Sequence, residues 1–165
     1  MSDSITEYKK WLANKDLDEE LRAELTAIEN DPKEIEERFA FPLAFGAQAT
    51  QGLAELVKKD GGAEMGVVIA SDTRIKSDVF SEISARVLAA NGIRAYLFDA
   101  PRPTPELSFA LRHLHAKAGI NVTASHNPSI YNGYKAYWED GAQISPEQAD
   151  VVSAAIEKVD IFTGV

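Results

Sequence analysis

Gly119-Ile120-Asn121-Val122-Thr123-Ala124-Ser125-His126-Asn127-Pro128 is the stretch on which the architecture turns. Gly119 to Thr123 reads as a short strand, and Asn127-Pro128 forces a turn soon after it. A serine just past a buried strand is lifted to the rim of a sheet, and the turn keeps it there. An adjacent imidazole and a nearby cation are what a phosphorylatable hydroxyl needs. One manages the proton and the other stabilises charge on the phosphoryl oxygens. The same residue types also build ordinary strand-to-loop turns, so Ser-His-Asn-Pro alone leaves both readings open.

Outward from this stretch, helix and strand alternate. Ala47 to Lys59 is expected to be helical, with Leu53, Leu56 and Val57 inward, after a break at Phe41-Pro42-Leu43-Ala44-Phe45-Gly46 and before a stop at Gly61-Gly62. Val67-Val68-Ile69-Ala70 is a continuous apolar run, as a strand buried on both faces requires. Ser77 to Ala90 predicts a helix carrying Val79, Ile83 and Val87, ended by Asn91-Gly92. Ala95-Tyr96-Leu97-Phe98 is the second strand. Pro105 opens a helix whose inner face is Leu107, Leu111, Leu114 and Ala118. Tyr134 to Trp138 alternates as a fourth strand, and Asp140-Gly141 turns the chain into a last helix bearing Ala149, Val152, Ile156 and Val159.

This order predicts an α/β domain with a parallel sheet, right-handed crossovers and helices on both faces. The loop between the third and fourth strands has no room for a crossover helix, so the fourth should return antiparallel. Ligands of such sheets bind at the carboxyl ends of strands. Two polar loops emerge there, Ser71-Asp72-Thr73-Arg74 and Ala124-Ser125-His126-Asn127-Pro128, and their convergence points to a site. Asp72 and Arg74 either anchor the loops around Ser125 or form a strand-end cap and surface ion pair.

Residues 1–40 read as a helical arm, and residues 41–165 as the α/β domain. Ile5, Tyr8, Trp11 and Leu12 share one helical face, Leu17, Leu21, Leu25 and Ile28 another, and Asp31-Pro32 restarts a helix with Ile35 and Phe39 on one side. The chain of 165 residues is 45% hydrophobic and 26% charged, ordinary for a globular protein. A formal net charge of −9 argues against nucleic-acid or anionic-membrane partners. The absence of cysteine excludes disulfides and thiolate metal sites. With no basic leader or apolar run at the start, no signal peptide is expected, and a cytoplasmic protein is the default. His113 and His115, two apart on a predicted helix, do not share a face, so no metal site is expected there. Arg102, Arg112 and Lys117 read as solvated charges. Tyr131, Tyr134, Tyr137 and Trp138 read as strand packing rather than a sugar platform.

A longer string adds to this. Val122-Thr123-Ala124-Ser125-His126-Asn127-Pro128, then Tyr131-Asn132-Gly133-Tyr134-Lys135 and Asp140-Gly141, closely resembles the active-serine segment of the alpha-D-phosphohexomutases, the phosphoglucomutase/phosphomannomutase family. Ala49-Thr50-Gln51-Gly52-Leu53-Ala54, Ala89–Asp99 and Arg102-Pro103-Thr104-Pro105-Glu106-Leu107-Ser108 match as well. The resemblance runs from about Arg38 onward and looks most like the bacterial glucose-type mutases. It implies a three-layer α/β/α domain with a mixed four-stranded sheet in order 2-1-3-4, the last strand antiparallel. It implies that Ser125 is a phosphoserine that gives its phosphoryl group to a hexose monophosphate through a bisphosphate intermediate, with glucose 1,6-bisphosphate as activator. His126 and Lys135 match positions acting near the phosphoryl group, either of them the general base, while Asp72, Arg74 and Asn127 would furnish its surroundings. Mg²⁺ would be held partly through an oxygen of the Ser125 phosphate.

The sequence departs from the family at one place and lacks three later elements. Phe45-Gly46 normally opens a Phe-Gly-Thr-x-Gly-x-Arg-Gly segment, yet here Gly46 runs directly into Ala47-Gln48-Ala49-Thr50, without the arginine usually beside the phosphoserine. The Asp-Gly-Asp-x-Asp-Arg metal loop, the Gly-Glu-x-Ser-Gly sugar loop and the C-terminal phosphate loop would lie in remaining domains of a parent enzyme. The expectation is therefore a catalytic-serine domain that is inactive alone; the alternative is a binding module that keeps the fold without the chemistry. A serine hydrolase is excluded, since no Gly-x-Ser-x-Gly elbow is present and a histidine next to the serine on extended chain points away from it.

Overall fold

A computed structural model describes residues 4–15, 17, 19–39, 43–127 and 131–159. The chain divides into two compact units, Met1–Pro42 and Leu43–Val165.

In the first unit, α1 (Ser4–Ala13), α2 (Glu19–Ala27) and α3 (Pro32–Phe39) enclose a small cluster of Tyr8, Leu25, Ile28 and Ile35. The Tyr8 hydroxyl donates to the Leu25 carbonyl at 3.0 Å. Asp31 caps α3, its carboxylate accepting the Glu34 N–H at 3.0 Å. Trp11, Leu12 and Leu17 pack against this cluster, Leu17 from between α1 and α2, whereas Ile5 is exposed.

The second unit runs α4 (Leu43–Lys59), β1 (Val67–Ser71), α5 (Ser77–Ala90), β2 (Ala95–Leu97), α6 (Thr104–His113), β3 (Ala118–Val122), β4 (Tyr134–Trp138) and α7 (Pro146–Ile156). The sheet order is β2-β1-β3-β4. β1 pairs parallel with both β2 and β3, and β4 returns antiparallel to β3 with Asn121 opposite Lys135. One face of the sheet, through Val67, Ile69, Ile120 and Val122, packs on Leu53 and Val57 of α4, Leu88 of α5 and Val152 of α7. The other, through Val68, Ala70 and Tyr137, packs on Leu107 and Leu111 of α6. Each fully buried leucine contributes about 1.5–3 kcal/mol. A Cβ on Gly119 would come within 2.7 Å of Leu111 Cδ1, so the glycine lets α6 lie directly on β3. This is the three-layer α/β/α arrangement.

Four local expectations give way to tertiary structure. The helix expected from Ala47 starts at Leu43: α4 passes through Gly46, whose carbonyl accepts the Thr50 hydroxyl at 2.7 Å. A helical glycine costs about 1 kcal/mol against alanine, which the packing of α4 on α5 and α7 outweighs. On α5, Val79 is exposed and the buried face is Ser77, Ser81, Ser84, Val87 and Leu88. The serines suit a close approach because their hydroxyls are satisfied: Ser81 donates to the Ser77 carbonyl at 2.8 Å, and Ser84, 3.0 Å from Thr50 Oγ1, donates to it because the Thr50 proton goes to Gly46. α6 ends at His113, leaving Leu114 exposed and Ala118 as the first residue of β3. His115, at φ 50°, lies beyond the helix, so the two histidines do not share one.

Lys117 is no solvated charge. Its buried ammonium pairs with Asp60, with Glu139 at 3.0 Å, and sits 5.0 Å from the centre of the Trp138 ring. Burial alone would lower its pKa, but the two carboxylates outweigh that and hold it above the ordinary lysine value. Gly62 makes the position possible, since a Cβ there would sit 2.1 Å from Lys117 Cγ.

Candidate functional site

Parallel β1 and β3 deliver their carboxyl ends to one rim, and the Asp72 N–H donates to the Val122 carbonyl at 3.2 Å to join the two loops. The Asp72 carboxylate is the hub of this rim. Oδ1 accepts the Arg74 N–H at 3.1 Å and the Ser77 hydroxyl at 3.2 Å; Oδ2 accepts Arg74 Nε at 2.8 Å and the Thr123 hydroxyl at 2.6 Å. Burial by itself would raise the carboxyl, but hydrogen bonds from Thr123, the Arg74 backbone and guanidinium, and Ser77 outweigh it and hold Asp72 below the ordinary carboxylate value. The Arg74 side chain is only 9% exposed. Its other nitrogens donate to the carbonyls of Ser125 and, at 3.0 Å, Tyr131. Asn132 completes the frame by donating to Ser77 Oγ at 2.8 Å. Of the two readings open for Asp72 and Arg74, the geometry is that of a brace between loops.

Ser125 is exposed, with φ 58° in the left-handed region. Its N–H donates to Thr123 Oγ1 at 3.1 Å, and its carbonyl accepts from Arg74, so the brace holds Ser125 by its backbone. A non-glycine residue here costs about 1–3 kcal/mol, and such conformations persist where the surroundings over-determine them. Ser125→Gly should therefore raise stability by roughly 1 kcal/mol, measured by urea unfolding; a loss of stability would mean that the hydroxyl itself supports the loop.

A cavity of about 430 Å³ opens at this rim, between Asp72, Ser125 and His126 from the loops after β1 and β3 and Asn121, Arg102 and Thr104 from β3 and the start of α6. Asn127 is exposed, its N–H donating to the Ala124 carbonyl at 3.1 Å to close the turn. Pro128 lies outside the described residues. Lys135 sits on β4 opposite Asn121, hence on the same sheet face, without lining the cavity. Sequence reasoning missed Arg102, Thr104 and Asn121 as site residues. Asn121 Nδ2 donates to Thr104 Oγ1 at 2.7 Å, and the Arg102 N–H donates to the Ser71 carbonyl at 2.9 Å. The signal was available: the loop after β2, a parallel neighbour of β1, must reach the same rim.

The donor set does not make a Mg²⁺ site by itself. Mg²⁺ asks for about six oxygens in octahedral array. Both Asp72 oxygens are already committed to donors, and among the described residues no group of three or more His, Cys, Asp or Glu side chains could hold a metal.

Fold and rim together define an α/β/α domain that presents a braced serine, beside an imidazole, at the carboxyl end of a central strand. The chain belongs to the phosphoglucomutase/phosphomannomutase family: residues 32–161 match its alpha/beta/alpha domain I. A phosphoglucomutase of Staphylococcus epidermidis is 52% identical over 93 residues, 56% of this chain and 17% of that protein. A Schizosaccharomyces pombe protein carrying the name "Probable phosphoribomutase" is 43% identical over 113 residues, 67% of this chain and 19% of its own length. The crystal structure of a Thermus thermophilus protein assigned as a phosphomannomutase superposes with a TM-score of 0.67 at 36% identity, covering 70% of this chain and 26% of that one. The chain thus spans less than a fifth of the length of these curated relatives. Among the described residues no helix is long and apolar enough to cross a membrane.

Proposed function

We propose that Ser125 carries the phosphoryl group in a phosphohexomutase that interconverts hexose 1-phosphate and hexose 6-phosphate, this chain being its catalytic-serine domain. The observation carrying the reading is the brace of Asp72, Thr123 and Arg74, which fixes the Ser125 backbone in a costly conformation while the residue faces the cavity. Strain of this kind is found where a side chain has to be aimed. In the forward step the phosphorus–Oγ bond of phosphoserine breaks as a bond forms to a free hydroxyl of the hexose monophosphate. The hydroxyl proton passes to a basic side chain, and Oγ leaves with a proton. His126, which follows Ser125 and lines the cavity, and Lys135, on β4 outside that lining, are the two candidates for this base. Return of the other phosphate from the bisphosphate reverses the roles. Glucose 1,6-bisphosphate is the intermediate and activator on this reading.

Mg²⁺ would neutralise charge on the transferring oxygens. On this reading one ligand is an oxygen of the Ser125 phosphate and the others come from remaining domains of the parent enzyme, whose partners are hexose phosphates rather than nucleic acid or membrane. A cytoplasmic setting fits the cysteine-free sequence. The choice of sugar is left to those other domains, as the glucose, mannose and ribose names among the relatives suggest.

Intact-mass measurement before and after exposure to glucose 1,6-bisphosphate tests the reading. One phosphoryl group is expected on the wild-type chain and none on Ser125→Ala. Equal labelling of both would sink the assignment of Ser125, and no labelling of either after hours of exposure with Mg²⁺ present, when a single slow transfer suffices, would favour a binding module without chemistry.

A further inference from the structure

We infer that Arg102 is the cation that receives the phosphoryl group carried on Ser125, an inference that rests on the reading of Ser125 given above. A phosphoserine adds roughly −1.5 to −2 charge and three strong acceptor oxygens, and the cavity must offset it. Asp72 is already paired with Arg74. Among the described residues lining the cavity, Arg102 is then the one side chain with a permanent positive charge, since His126 is cationic only when protonated and Lys135 lies outside the lining.

Arg102 is held where this role needs it. Its backbone N–H is fixed to the Ser71 carbonyl at the rim, while among the described residues its guanidinium pairs with Asp99 at 3.3 Å and Glu106 at 3.6 Å. Both acids are largely exposed, at 88% and 53%, and such pairs contribute little. A guanidinium has five N–H donors, so a phosphate can be bound through two of them at small cost in lost pairing. The N-terminus of α6 adds to the potential. Pro103 caps the helix without a side-chain hydrogen bond, and Pro103–Pro105 line the same cavity.

The chain with phosphoserine incorporated at position 125 during translation allows a direct test by ³¹P NMR titration. Arg102 should hold the second phosphate pKa below the usual value of about 6. Arg102→Gln should raise it by about one unit, with circular dichroism unchanged. Arg112→Gln, on α6 but outside the cavity, should leave it alone. A titration identical in wild type and Arg102→Gln, or an equal shift from Arg112→Gln, would overturn the inference. Because the phosphate is installed by translation, this result is independent of whether glucose 1,6-bisphosphate labels Ser125, which decides the underlying reading.

Discussion

Given glucose 1-phosphate, Mg²⁺ and glucose 1,6-bisphosphate, the isolated chain is expected to form glucose 6-phosphate many orders of magnitude below one turnover per second. Phosphoryl transfer depends almost wholly on positioning and on neutralising the moving charge. Positioning is worth roughly 7–11 kcal/mol, and metal stabilisation of the oxygens several more. Each factor of ten in rate takes only about 1.4 kcal/mol. This chain covers 17% and 19% of the two curated relatives described above, and the described residues supply no metal cluster. On the reading of a catalytic-serine domain, the groups that hold the hexose hydroxyls and its distal phosphate belong to the remaining domains of the parent enzyme. A coupled assay for glucose 6-phosphate checks this. Turnover near one per second that Ser125→Ala abolishes would show that the domain holds its substrate alone.

Asp72→Asn is expected to cost about 2 kcal/mol of stability at pH 7 and to release the Ser125 loop. The carboxylate accepts four hydrogen bonds, two of them from the nearly buried Arg74. The amide turns one acceptor into a donor facing another donor, and leaves the guanidinium without its counter-charge. The penalty should depend on pH with a definite sign. The folded carboxyl titrates below its ordinary 3.8. The ionised form therefore stabilises the fold fully above that value, and the contribution is lost as pH falls through the lower folded value. The gap between wild type and Asp72→Asn should narrow in urea unfolding as the pH drops below about 3.8. A penalty under about 1 kcal/mol, or one that is the same at about pH 7 and about pH 3, would show that Asp72 does not organise the rim.

Much of the architecture was legible because it rests on local signals. Continuous apolar runs such as Val67–Ala70 have no stable place except a sheet covered on both faces, and helix and strand alternating around them leave few topologies. The short link between β3 and β4 forces an antiparallel return. The rim site followed from the polarity of parallel strands, which sends the loops after β1 and β3 to the same edge. The sequence by itself therefore determined the sheet, its layers and the neighbourhood of Ser125.

What only the tertiary structure decided concerns side chains whose partners are distant in sequence. Lys117 looks like any surface lysine until Asp60 and Glu139 arrive from other segments to satisfy its charge. The buried face of α5 is serine-lined because α4 comes close enough for Thr50 to bond Ser84, and no periodicity predicts that hydroxyls will find each other. The left-handed backbone at Ser125 exists because Arg74, 51 residues away, holds its carbonyl. Arg102 lines the same cavity as Ser125 because β2, β1 and β3 are parallel neighbours whose loops reach one rim. Local preferences are worth tenths of a kcal/mol per residue and are read from neighbours in sequence. Charge pairing and hydrogen bonding in the interior are worth more, and depend on which distant residue folding delivers.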